Sequence, residues 1–376
     1  AGCHAQALKR GHARLIEENL ENSMSATVKL TELLHQHTAP AAAELVRPEP
    51  EGALRCLACA HRCRILPGRP GVCRVRWNEG GTLRVPYGYV AGLGVDPIEK
   101  KPFYHAYPGA TAMSFGMLGC DFHCSFCQNW VTSQALRDDE AISSPVLIEP
   151  QRIVELALEH GCRVLTSTYN EPLITAEWAV EIFKLGRPHG LVGSFVSNGN
   201  ATPEVLEYLR PHVELYKIDL KAFRDETYRK LGGVLENVLN TIRLTRQMGF
   251  WVELVTLLVP GMNDSDEELK QMTAFIAGVS PQIPWHVTAF HPDYKMTQPP
   301  RTSSEMLERA YDIGRQAGLQ FIYAGNLPGQ VGDRENTRCP ACGQVLIERQ
   351  GFSIRQNRLR GGRCPACATE IPGVWG

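Results

Sequence analysis

From residue 113 onward the hydrophobic positions follow two alternating periods. Short apolar runs at 113–118, 163–168, 191–196, 213–219, 250–258 and 284–290 read as strands. Between and after them, segments 150–160, 173–186, 203–210, 235–248, 265–277 and 303–317 carry apolar residues every third or fourth position and predict helices. A strand–helix rhythm of this kind predicts an α/β fold with a parallel sheet. Six units rather than eight predict a partial (β/α)6 barrel, incompletely closed, with a lateral mouth.

Upstream the pattern changes. Residues 12–36 read as one or two amphipathic helices, and TAPAAAELVRPEPEG reads as a linker from its prolines and alanines. The stretch TLRVPYGYVAGLGVDPIEKKPFYHAYPG alternates apolar and polar residues and predicts short strands leading into the barrel. The chain thus divides into four parts. They are a helical extension and linker (1–50), a Cys-rich knuckle with lead-in strands (51–112), the partial barrel (113–328) and a C-terminal module (329–376).

Parallel barrels place their chemistry at the carboxyl ends of their strands. Here the polar clusters follow that rule. The first strand is followed by Cys120, Cys124 and Cys127, and the second by Tyr169-Asn170-Glu171-Pro172. The third leads into Ser197-Asn198-Gly199-Asn200 and the fourth ends in Asp219-Leu220-Lys221. Pro260-Gly261-Met262-Asn263-Asp264 and Phe290-His291-Pro292 close the fifth and sixth. All six clusters are therefore expected on one rim.

The cysteines after the first strand have the spacing C-x3-C-x2-C, within MSFGMLGCDFHCSFCQNW. An iron–sulfur cube has four irons and normally takes four thiolates. Three thiolates on one loop leave an iron for a ligand that is not protein, such as the amino and carboxylate groups of S-adenosylmethionine. The competing reading is a structural zinc held by the three cysteines and His123. It fits poorly, because His123 adjoins Cys124 and cannot easily close a tetrahedron with both flanking thiolates.

Cysteine counting adds two more metal-binding patterns. Of thirteen cysteines, eleven fall into three groups, and only Cys3 and Cys162 stand apart. Cys56, Cys59, Cys63 and Cys73 lie within 18 residues, among glycines and prolines. They predict a knuckle for zinc, with an auxiliary iron–sulfur cluster as the alternative. His61 is a spare ligand there. Cys339, Cys342, Cys364 and Cys367 form C-x2-C…C-x2-C and predict a zinc-ribbon-like module. Arg349, Arg355, Arg358, Arg360 and Arg363 lie between its two halves and are expected on a solvated hairpin face.

The net charge of −1 gives no global basic field for nucleic acid. No apolar run approaches the roughly 18 residues of a membrane span, and the N-terminus lacks a signal-peptide core. Thiolates kept for metals predict a reducing, cytoplasmic compartment.

From about residue 54 to the end the chain resembles the radical-SAM enzymes of the AmmeMemoRadiSam group, relatives of the pyruvate formate-lyase activating enzymes. The resemblance is carried by the Cys56–Cys73 knuckle, DPIEKKPFYHAYPG, GCDFHCSFCQNW, TYNEP, YKIDLKAF, LLVPGMND and CPACG…CPAC. It implies a 4Fe-4S cluster on Cys120, Cys124 and Cys127, with the aromatic Phe126 before the last cysteine. It also implies reductive cleavage of S-adenosylmethionine to a 5′-deoxyadenosyl radical that abstracts hydrogen. Asn170 and Glu171 stand where relatives bind the methionine amino group. Ser197, Asn198 and Asp219 suit the ribose, while Lys221 and His291 match cofactor-side residues. An electron donor such as flavodoxin or ferredoxin is implied. One departure is Val196-Ser197-Asn198-Gly199, where activating enzymes often carry Asp-Thr-Asn-Gly; this removes a carboxylate from a monovalent-cation site. The expected substrate is a protein, such as a glycyl-radical partner. The alternatives are a small molecule or RNA, or a zinc-rich scaffold without enzymatic activity.

Overall fold

A computed structural model of the chain describes residues 30–376. Most of the predicted helical extension, with His4, His12 and Cys3, lies outside the described residues; its last part, Leu30–Gln36, is helical. The central sheet has eight strands. They are Gly92–Pro97 (β1), Thr111–Gly116 (β2), Val164–Ser167 (β3), Val192–Ser197 (β4), Leu215–Asp219 (β5), Trp251–Leu258 (β6), Trp285–Ala289 (β7) and Ile322–Gly325 (β8). They lie side by side in chain order, parallel from β2 to β8 with β1 antiparallel at one edge.

Each of the six predicted strands is present. The antiparallel β1 falls in the stretch predicted as short lead-in strands, and the sheet adds a seventh parallel strand, β8, that the pattern did not announce. The predicted helices follow β2 to β7 in turn, as Pro150–Glu159 (α1), Ala176–Gly186 (α2), Pro203–Leu209 (α3), Leu235–Gln247 (α4), Asp266–Val279 (α5) and Ser304–Gln316 (α6), and the short helices Trp130–Ser133 and Asp225–Leu231 are added after β2 and β5. Local chemistry sets several starts. The hydroxyls of Thr202, Ser265 and Ser303 accept from the N–H groups of Val205, Glu268 and Met306, capping α3, α5 and α6.

Strand register separates the two faces of the sheet. Phe115, Leu165, Phe195, Tyr216, Leu254 and Trp285 project to one face and join the main apolar core with α1 to α6. Burying that face is the main apolar contribution to the fold. The opposite face carries Asp96, Ser114, Thr166, Lys217, Glu253, His286 and Tyr323, which the pairings place in register across the sheet. All seven are buried. Two polar clusters organise this face.

At its amino end, Glu253 is the hub. Its carboxylate accepts from Tyr104 N (2.9 Å), His105 N (2.8 Å), Trp251 Nε1 (3.0 Å) and His286 Nε2 (2.7 Å). Burial pushes its pKa up, but the His286 hydrogen bond and charge outweigh this and hold it below the usual range. Through Tyr104 and His105, Glu253 fixes the 98–107 segment that closes the amino ends of the strands, where Ile98, Phe103 and Ala106 pack on Ala112, Val164 and Leu215. The C-terminal module docks on the same segment. His105 contacts Pro372 O (2.7 Å) and Tyr323 Oη (2.6 Å), and Val374 N donates to His105 O.

Two expectations change here. The TAPAAAELVRPEPEG stretch is not a free linker. Thr38–Pro40 pairs with Arg84–Pro86, Val46–Pro48 pairs with Leu54–Cys56, and Leu45 is fully buried. Its backbone donors find sheet partners, which composition alone does not reveal. Arg349 is not solvated either. It is buried, donates to Tyr104 O and Thr337 Oγ1 (both 2.7 Å), and lies over the Tyr104 ring at 4.3 Å. By contrast, Arg355, Arg360 and Arg363 are exposed.

Candidate active site and metal centres

The cysteine loop leaves β2 through Met117-Leu118-Gly119. Gly119 sits at φ +92, and a Cβ there would come 2.8 Å from Val75 Cγ1 and 3.2 Å from Cys73 O. Glycine is thus required for both conformation and space. Cys124 is buried, and Cys120 and Cys127 are half-buried. The Ser133 hydroxyl lies 3.1 Å from Cys127 Sγ and Phe122 N donates to Cys120 Sγ at 3.4 Å. Burial raises all three thiol pKa values, that of Cys124 to about 12, with Lys221 opposing the shift at Cys124 and Cys127.

His123 takes no part in this cluster of sulfurs. Its ring packs on Gly232, where a Cβ would meet it at 2.6 Å, and its N–H donates to Leu231 O. Phe126 is buried in the main core. The loop is covered by residues 291–296: Lys295 N donates to Ser125 O (3.0 Å), Trp130 and Tyr294 stack at 5.1 Å, and Lys295 pairs with Asp138 at 2.6 Å. This cover brings His291 to the loop, its Nε2 3.3 Å from Gln128.

The clusters after the other strands converge on the same loop. Asp219 pairs with Lys217 and, at 3.1 Å, with Lys221. Burial pushes the Asp219 pKa up, but the two ammonium groups bring it to about 2. Glu171 accepts from Leu173 N (3.0 Å), Ser197 Oγ (2.8 Å) and Asn198 N (2.7 Å). Asn170 Oδ1 accepts from Met117 N (3.2 Å). The structure therefore commits Asn170, Glu171, Ser197 and Asn198 to joining the loops after β2, β3 and β4. Burial and the nearby Asp121 carboxylate raise the Glu171 pKa to about 8.

The hub of that junction is Asp121, which the sequence reading passed over. It is fully buried and accepts from Asn198 Nδ2 (2.7 Å) and Asn200 Nδ2 (2.9 Å). His61 Nε2 lies 3.9 Å from it on the knuckle side. A chain position between two cysteines of a loop gives no sign of such a role; only the fold brings Asn198 and Asn200 to it. Lys101, within DPIEKKPFYHAYPG, is a second buried charge. Its ammonium is buried, 2.6 Å from Asp96 and 4.6 Å from the centre of the Tyr169 ring. Burial lowers its pKa to about 8 against the pull of Asp96. Tyr169 itself stands at φ +68, an uncommon conformation for a non-glycine residue. It fits because Gly116 lets the chain approach; a Cβ there would lie 2.1 Å from Thr168 O.

The other two cysteine groups differ in geometry. Cys339, Cys342, Cys364 and Cys367 bring their sulfurs within 4.8 Å of one another, with two pairs at 3.6 Å. Among the described residues, they are the one group of three or more His, Cys, Asp or Glu side chains that converges so closely. Cys56, Cys59, Cys63 and Cys73 of the knuckle instead line a single cavity with Arg76 and Ile174.

Residues 116–273 match the family model described as the radical SAM superfamily. The chain is 37% identical over 325 residues to a protein of Methanocaldococcus jannaschii described as uncharacterized, covering 85% of this chain and 96% of that one. The chain belongs to the radical SAM superfamily. The matched residues of this radical SAM chain contain the whole cysteine loop and the clusters after β3 to β6. It is also 23% identical over 186 residues to a pyruvate formate-lyase-activating enzyme of Staphylococcus epidermidis, covering 46% of this chain and 72% of that enzyme. Among solved structures, a domain of the pyruvate-formate lyase-activating enzyme from Bacteroides vulgatus aligns with a TM-score of 0.38 at 22% identity, over 43% of this chain and 98% of that one. A radical SAM methyltransferase from Sphaerobacter thermophilus aligns with a TM-score of 0.45 at 15% identity, over 88% and 85%. No helix among the described residues is long and apolar enough to cross a membrane.

Proposed function

We propose that this chain is a radical SAM oxidoreductase of the activating-enzyme type, in the AmmeMemoRadiSam group, acting on a protein substrate. The observation that carries the reading is the three-cysteine loop at the carboxyl end of β2, with Lys221 and Asp219 beside it and His123 turned away to Gly232. Cys120, Cys124 and Cys127 would hold the 4Fe-4S cluster. The donor set fits: three thiolates on one loop, with a lysine that favours their ionised form. When bound, cluster and S-adenosylmethionine together supply reductive cleavage of the sulfonium and hydrogen abstraction from the substrate.

The chain's own residues do the remaining work. Glu171, Asn198 and Asp121 hold three rim loops in a fixed relation, so that the cysteines face the polar side of the sheet. In this reading the open eight-stranded sheet is the partial barrel and its polar face the lumen. Asp219, Lys221 and His291 line the cofactor end. Lys101, Asp96 and Lys217 lie deeper, where a buried ammonium can orient a carboxylate or carbonyl of the substrate. The 291–296 segment covers the cysteine loop and limits water. At the terminal module, sulfur pairs 3.6 Å apart suit one zinc ion, whose 2.3 Å bonds put ligand sulfurs about 3.8 Å apart.

A deuterium-transfer experiment tests the substrate class. The cluster-loaded chain, S-adenosylmethionine and a flavodoxin-type reductant are incubated with perdeuterated cell protein or with the perdeuterated small-molecule fraction. Deuterium in 5′-deoxyadenosine from the protein fraction alone supports the reading; label from the small-molecule fraction alone overturns it.

A further inference from the structure

The geometry points to a second iron–sulfur cluster, a cube ligated by Cys56, Cys59, Cys63 and Cys73 and hydrogen-bonded by Arg76. Three observations carry this. First, the four cysteines line one cavity, and Cys56, Cys59 and Cys73 are each at least nine-tenths buried. The site is built into the core rather than left on the surface.

Second, the sulfur spacing is wrong for one ion. Four thiolates on a zinc lie about 3.8 Å apart, since each bond is 2.3 Å. The terminal module in the same chain meets that spacing, with all four sulfurs within 4.8 Å. No three of the knuckle sulfurs do so. Sulfurs that surround one cavity yet stand apart suit ligation of separate irons. Of the two groups that the cysteine spacing allows, zinc or an iron–sulfur cluster, this separation favours the cluster.

Third, Arg76 lines the same cavity, is 1% exposed, and leaves Nε and Nη1 without a partner. Its Nη2 alone is used, in the ion pair with Glu177. A buried guanidinium with idle donors carries a large desolvation cost. A cube with four thiolates is anionic and presents sulfur acceptors, which answers both the charge and the idle N–H groups. Because all four irons would have a cysteine, this centre has no iron free for S-adenosylmethionine. It borders the first site: Gly119 is packed against Cys73 O, and Asp121 faces His61.

The test compares the native chain, loaded anaerobically with iron and sulfide, with two variants. In Cys120→Ala/Cys124→Ala/Cys127→Ala, about four irons and four sulfides per chain remain, with a cube-type Mössbauer spectrum. In Cys59→Ser/Cys73→Ser the remaining iron belongs to the first loop. The native chain, which depends on no variant folding, holds about eight irons and a single zinc. Two zincs with no more than four irons, or two irons at the knuckle, overturn the inference. Iron at the knuckle with none on Cys120, Cys124 and Cys127 overturns the proposed function instead and leaves this inference standing. Arg76→Gln, measured on the loaded protein, moves the knuckle potential to more negative values, since a positive charge and sulfur donors are lost. An unchanged potential removes Arg76 from the site.

Discussion

Glu253→Gln isolates the part of the fold on which the polar face depends. The substitution keeps shape and replaces one carboxylate oxygen by an amide NH2. With the amide oxygen facing His105 N and Trp251 Nε1, two of the four hydrogen bonds survive. The NH2 then faces Tyr104 N and His286 Nε2. His286 can answer by changing tautomer, but Tyr104 N–H cannot, and one buried backbone donor is left unpaired. Such a loss costs about 1–3 kcal/mol. At 1.4 kcal/mol per decade, amide exchange at Tyr104 should rise roughly 5- to 150-fold. Hydrogen exchange read by mass spectrometry on peptides spanning 101–107 measures this directly, with a thermal melt alongside. If the variant is folded and both exchange and Tm match the native chain, Glu253 is not what holds this segment.

Three further outcomes follow from the same contacts. Gly119→Ala forces a side chain into φ +92 and against Val75, a strain of about 1–2 kcal/mol for conformation alone; iron loading at Cys120 should fall, and full loading would contradict the packing described. Asp121→Asn sets an amide NH2 against Asn198 or Asn200 and should lower stability by about 1–3 kcal/mol, visible in denaturant unfolding. Burial lowers the His105 pKa to about 4. The unfolded chain therefore takes up a proton at His105 between pH 6.5 and 4 that the folded chain does not. Stability from this group is complete above pH 6.5 and declines by about 3 kcal/mol as pH falls through that window. A stability–pH slope that is unchanged in His105→Gln would refute the assignment.

Much of this was legible because the informative residues are close in sequence. The strand–helix alternation gives the six parallel strands β2 to β7, since side-chain period follows directly from backbone geometry. The cysteine groups are likewise local, so spacing alone announced them. What stayed hidden depends on tertiary meeting. Glu253 and His286 lie within largely apolar strands, and only the fold makes them one cluster. Asp121 became a hub because the loop after β4 folds back on it. Arg349 lay in an arginine-rich stretch whose composition suggested solvent, whereas its ring partner Tyr104 is 245 residues away. The linker was misread for a related reason: prolines and alanines mark edge strands as readily as free chain when partners come from elsewhere. At the knuckle, spacing along the chain admits both zinc and an iron–sulfur cluster, because both take four thiolates.

The central claim is that Cys120, Cys124 and Cys127 hold a cluster that cleaves S-adenosylmethionine. The direct measurement is product analysis after anaerobic reduction of the loaded chain with dithionite in the presence of S-adenosylmethionine, beside Cys124→Ser treated identically. The account predicts 5′-deoxyadenosine and methionine in equal amounts from the native chain and neither from the variant. Equal yields from both proteins, or none from a native chain shown to carry iron on this loop, would contradict it.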